Sequence, residues 1–214
     1  MWYDCYILTP NYPNVGLKMN HEISGKQAAL KALKRRLVMK AGELTVYVPN
    51  RNQLRRLAQA GELVDIGAGY YAHPSVDPFV GAVLATAKAF PDAVISNVTA
   101  LVIHGLSDER IDRIDVDVPR RRSIRNKLVR AHRVSSRHLI GAVSQKFQGH
   151  RIRIYSRERA LCEAYLIDPG GAIFFKALKR YVRSGEVNPD PVATFDELLG
   201  TAALTALSQE LADG

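Results

Sequence analysis

VISNVTALVIHGLSDERIDRIDVDVP, residues 94–119, sets two apolar segments, one glycine turn and a carboxylate pair within 26 residues. Ser96 or Asn97 offers a side-chain oxygen to cap a helix beginning at Val98, and Val98, Leu101, Val102 and Leu106 recur near helical spacing. Gly105 tolerates the left-handed conformation that ends a helix. From Arg113 the period changes to two: Ile114, Val116 and Val118 share one face, with Arg113, Asp115 and Asp117 on the other, which predicts a half-buried strand. Two functions compete for the stretch. One is purely structural; the other is a nucleotidyltransferase that holds Mg²⁺ on Asp115 and Asp117 behind the Gly105 and Ser107 turn. Chance alternation also yields Asp-x-Asp, and residues 128–134 and 148–155 supply no third acid.

Charge extends the reading outward. A net charge of +9 and a pI near 9.7 point to a polyanionic partner, usually nucleic acid. The excess is uneven: residues 110–159 hold fifteen Lys or Arg against four acids, and residues 186–214 hold six acids and no Lys or Arg. Five of the basic residues, Arg120, Arg121, Arg122, Arg125 and Lys127, occupy one loop after the strand. That loop suits DNA phosphates or an acidic groove on a protein partner equally well. The two cysteines, Cys5 and Cys162, lie far apart, so neither a disulfide framework nor a Cys metal site is expected. No signal peptide and no apolar run of 18 residues is seen, and a cytoplasmic protein without membrane insertion, cofactor or metal is expected.

Upstream, residues 1–24 read as an irregular arm rich in Tyr and Pro. Residues 25–75 read as a winged helix-turn-helix DNA-binding domain. Ala29, Leu30, Leu33, Leu37 and Val38 mark a first helix ended by Gly42; residues 44–48 alternate as a short strand closed by Pro49. Asn50 then caps a second helix with Leu54, Leu57 and Ala58 inside and Arg51, Asn52, Arg55, Arg56 and Gln59 outside. Residues 61–74, turning at 67–69, form a hairpin wing. Arg51, Asn52 and Arg55 suit base edges, and Arg56, Lys34 and Arg35 suit phosphates.

Residues 76–214 read as a mixed α/β domain with a small antiparallel sheet, so the fold class is α+β. Residues 79–90 form an apolar helix and 93–96 a buried strand. Residues 128–134, 142–147 and 150–155 form further strands beside 113–118. Ser156 caps a helix through Leu166, with Arg157 and Arg159 projecting toward the basic face, and 172–183 form a core helix. Thr194 to Glu197 has the spacing of a capping box that opens the last helices. His104 is expected in the core or a turn.

The order of these blocks resembles the AbiEi-type antitoxins of type IV toxin-antitoxin systems. SNVTALVIHGLSD at 96–108, then IDVDVPRRR, a segment ending AHRV, and YSRERALCEAYL from Tyr155 resemble that family's central block, and GELVDIGAGYYAHP at 61–74 its wing. The likeness covers roughly residues 26–181 and none of its motifs is catalytic. It implies an antitoxin, not an enzyme, that binds inverted repeats of operator DNA, represses its own operon and counteracts a nucleotidyltransferase toxin. A basic module that binds nucleic acid without sequence choice is the plainer alternative.

Overall fold

Two short strands explain how the chain divides its core. The computed structural model describes residues 15–213; α1 (Val15–Arg36) is followed by β1 (Val38–Lys40), α2 (Ala41–Leu44), α3 (Arg51–Gln59), β2 (Val64–Gly67) and β3 (Tyr70–Ala72). The strands form an antiparallel sheet in the order β1-β3-β2. Successive strand residues face opposite ways. Met39 and Tyr71 therefore join Leu33, Leu44, Leu54 and Leu63 in one core beneath the helices, and Val38, Tyr70 and Ala72 join a second core on the far face.

That far face is covered by α4 (Pro78–Ala89), whose N-terminus is set by Pro78 and by Asp77, which accepts the Val80 N–H at 3.0 Å. Lys88 of α4 donates to the Val38 carbonyl at 3.0 Å, and Gly81 leaves room for Ile66 of β2. The other side of α4 lies on a second sheet built from β4 (Val94–Ile95), β5 (Ile114–Pro119), β6 (Val129–Val134), β7 (Ala142–Phe147) and β8 (His150–Tyr155), ordered β6-β5-β4-β8-β7. Opposite α4, this sheet carries α5 (Asn97–Ile103) and α6 (Arg157–Ile167). Outside them are α7 (Ala172–Arg183), α8 (Pro189–Leu199) and α9 (Ala203–Asp213). The chain is thus α+β, with two sheets and a helix shared between them.

Several expectations are corrected. Residues 15–24 of the supposed arm belong to α1, since no proline follows Pro13 until Pro49; residues 1–14 lie outside the described residues. The first helix ends at Arg36, not Gly42, because Leu37 turns the chain at φ 63°. Residues 44–48 are not a strand: the strand is β1, and the single turn of α2 follows, with Glu43 accepting the Lys40 N–H at 2.8 Å. The second sheet is mixed rather than antiparallel, with β5–β6 and β4–β8 parallel. Alternation reveals a strand but not its direction; here the returning loop 120–128 sets it. Thr194 lies inside α8, where its hydroxyl donates to the Asp190 carbonyl, so it opens no helix.

Leu54 is the buried anchor of α3. Leu54→Ala is expected to lower stability by about 2–5 kcal/mol in urea denaturation, whereas Arg51→Ala, at an exposed position, shifts it by less than about 0.5 kcal/mol.

Candidate functional site

The basic residues fall into separate groups. Asn50 caps α3 by accepting the Asn52 N–H at 2.8 Å, and Arg51, Asn52, Arg55, Arg56 and Gln59 are all exposed around the anchored Leu54. Lys34 and Arg35 are exposed on the last turn of α1, where they line a cleft of about 520 Å³ with Lys31 and Tyr47. Arg55 lies near enough to β3 for its charge to act on the Tyr71 phenol, whose pKa is raised first by burial and then by Asp65, against the opposing pull of Arg55.

The five cations of the loop 120–128 are not one cluster. Parallel pairing of β5 with β6 makes the loop retrace the strand, about 17 Å at 3.3 Å per residue. Arg120 and Arg121 are exposed at one end, with Arg122 paired to Asp92. Arg125 and Lys127 are exposed at the other, beside Arg113. Arg157 and Arg159 do not join any basic face. Arg157 is turned to Glu186 and the Tyr181 ring, and Arg159 is 1% exposed.

Arg159 belongs to a buried polar cluster that was not read from the sequence. Both faces of β5 are covered, and Asp115 and Asp117 are only 4% and 3% exposed. Asp115 Oδ1 lies 2.9 Å from His132 Nε2 and 3.5 Å from Arg130, while Thr99 approaches Oδ2 at 3.3 Å and accepts the Asp115 N–H. The Tyr155 hydroxyl stands 3.0 Å from Asp117 Oδ2 and 2.8 Å from the His138 carbonyl, with one proton for two acceptors. Glu163 Oε2 accepts the Asn97 N–H at 2.9 Å, doing for α5 what the Ser96 side chain does not, and its Oε1 lies 3.1 Å from Arg159. The Arg159 guanidinium donates to the His138 carbonyl and lies 4.4 Å from the centre of the Tyr155 ring. Among the described residues, Asp117 Oδ1 and Arg159 Nε and Nη1 have no hydrogen-bond partner, so the Arg159–Glu163 contact is ionic only. His104, half-buried at the C-terminal end of α5, touches the Tyr155 carbonyl at 2.7 Å, the turn position of the two expected.

Burial dominates this electrostatics. It pushes the Glu163 carboxyl up to about 7 despite the Arg159 charge, and raises Asp117 as well. The hydrogen bond to Asp115 raises His132. Both Asp115 oxygens and Asp117 Oδ2 meet protein donors, and Asp117 Oδ1 is buried without one. Asp115 alone reaches a cleft, of about 190 Å³, shared with Arg113 and Arg130. Among the described residues no three His, Cys, Asp or Glu side chains gather as metal ligands, and no helix is long and apolar enough to cross a membrane. Cys162 is buried near the Val192 carbonyl. The sequence signals for the cluster were the i,i+4 pair Arg159 and Glu163 in an apolar helix and the paired acids of β5.

No protein-family model matches the chain, and no curated protein matches it in sequence.

Glu163→Ala is expected to cost about 3–5 kcal/mol by stranding the Arg159 charge, and the double change Arg159→Met with Glu163→Leu less, both by chemical denaturation. Folding raises the pKa of Glu163 and of His132, so their contribution is full below the unfolded values near 4.5 and 6.5 and is lost as pH rises through the folded ones. The stability of the unaltered protein relative to Glu163→Gln should therefore fall as pH rises from about 5 through about 7, whereas the histidines that burial lowers, His104 among them, act in the opposite direction in both proteins.

Proposed function

We propose that the chain is a sequence-specific DNA-binding repressor, acting in the cytoplasm as the antitoxin of a type IV toxin-antitoxin pair. The observation that carries the DNA-binding part is the exposed face of α3, where Arg51, Asn52, Arg55, Arg56 and Gln59 surround one buried leucine. The element order helix, strand, helix, helix, hairpin, with sheet order β1-β3-β2, supports a winged helix-turn-helix in which α3 enters the major groove. Arg51 and Arg55 then match guanine O6 and N7, and Asn52 matches adenine N6 and N7. Arg56, Lys34 and Arg35 neutralise phosphates, which adds affinity without sequence choice. The antitoxin part, repression of its own operon and action against a nucleotidyltransferase, rests on the resemblance of residues 61–74, 96–122 and 155–166 to AbiEi-type antitoxins. The chain acts by binding: the burial of Asp115 and Asp117 speaks against their use as an open Mg²⁺ and triphosphate site.

A binding titration against the duplex upstream of its own reading frame and against a shuffled duplex, at two salt concentrations, tests this. A preference of at least about 10³ for the upstream duplex, lost in Arg51→Ala with Arg55→Ala, is expected. Equal affinity for both duplexes refutes the repressor and leaves a basic module without sequence choice.

A further inference from the structure

The hairpin turn that would serve as the wing is Gly67-Ala68-Gly69, and it carries no cation. Its backbone has positive φ at all three positions, is held by the Asp65 carboxylate on the Gly67 N–H, and gives the Gly69 carbonyl to the Ala41 N–H at 2.8 Å. It is a rigid, uncharged tip. The loop 120–128 is packed against it: a Cβ on Gly67 would stand 3.8 Å from Leu128 Cβ, and Ile66, Gly67 and Ala68 line one cleft with Asn126, Lys127 and Leu128.

This end of the loop is fixed in place. Asn126 Oδ1 accepts the Leu128 N–H at 2.9 Å, and the Arg113 guanidinium donates to the carbonyls of Asn126 and Val129. Arg125 and Lys127 therefore project from a braced turn, exposed, and Lys40, exposed at the end of β1 and paired in register with Tyr70, flanks the hairpin on its other side. Of the nearby acids, Asp65 holds the Gly67 N–H and Glu43 holds the Lys40 N–H and Arg36, while Asp112, 3.6 Å from Arg110 and largely exposed, lines the same cleft as Lys127.

We infer that Arg125 and Lys127, with Lys40, supply the phosphate contacts the hairpin tip lacks, so that the sheet domain and the hairpin together grip one stretch of duplex backbone. The inference rests on the DNA-binding reading and assigns this end of the loop to DNA rather than to a protein partner. Charge complementarity and continuity with the hairpin, which runs on from the α3 side of the first sheet, favour the duplex. Arg120 and Arg121, a strand's length away, take no part.

The test measures full-length protein on the upstream and shuffled duplexes over a range of salt. Arg125→Ala with Lys127→Ala should weaken both complexes alike and reduce the steepness of log K against log salt by about 1.8, two phosphate contacts at roughly 0.9 each, with sequence preference kept. Arg120→Ala with Arg121→Ala should leave the slope unchanged. Both variants alter exposed side chains, and an unchanged thermal melt verifies their folding. A wild-type slope in the Arg125 and Lys127 variant overturns the inference while leaving α3-dependent binding intact. A slope carried by Arg120 and Arg121 overturns it too, and absence of duplex binding in the unaltered protein overturns it together with the reading beneath it.

Discussion

Glu163 ties α5 to α6 through one carboxylate and, by way of Arg159, reaches β8 and the turn after β6. Its Oε2 takes the first N–H of α5, its Oε1 faces Arg159 one turn earlier on α6, and Arg159 in turn reaches the His138 carbonyl and lies over the Tyr155 ring. Charges this deep are costly unless each has company. Once Glu163 is in place, the entry of α5, the end of β8 and the turn after β6 have little freedom, and Asp117 must share the same interior. The result is a sheet with its polar groups inside one face and its aliphatic groups against α4 on the other.

The polar interior and the basic exterior serve different ends. Asp115, Asp117 and Glu163 sit among His132, Arg130, Arg159 and Tyr155, so the carboxylates of this region are largely neutralised from within. The exposed cations of α3, and those of the loop other than Arg122, which pairs with Asp92, are left facing solvent. Residues 186–214 hold six of the acids and no Lys or Arg, away from this region of the sequence. Burying three carboxylates against a single buried guanidinium leaves the exposed surface more basic than the composition alone would, in keeping with a polyanionic partner.

Legibility in the sequence followed the physics of each signal. Some local signals held: Asn50 and Ser156 cap the helices expected of them, Gly105 ends α5, and the alternation of residues 129–134, 142–147 and 150–155 gives strands, whereas Gly42, residues 44–48, Thr194 and the Ser96 cap did not act as expected. Signals that reach beyond a few residues also failed. Strand direction in the second sheet depends on where the loop 120–128 goes, and the start of α1 on the absence of a breaker over many residues. The polar face of β5 looked solvated because nothing in IDVDVP shows that α6 will lie on it. Of the candidate site, the exposed face of α3 was legible from its period, whereas the splitting of the loop cations and the burial of Arg159 were not.

Because β1 and β3 give alternate residues to two cores, the boundary near residue 75 marks a change of sheet rather than a seam along which the molecule comes apart. Excised at that point, the first part would expose Val38, Tyr70 and Ala72 to water, and α4 would lose what it covers. The two parts should therefore melt in a single transition, and any partner that grips one part would stiffen the other by mass action, without a hinge or a moving linker to relay the effect.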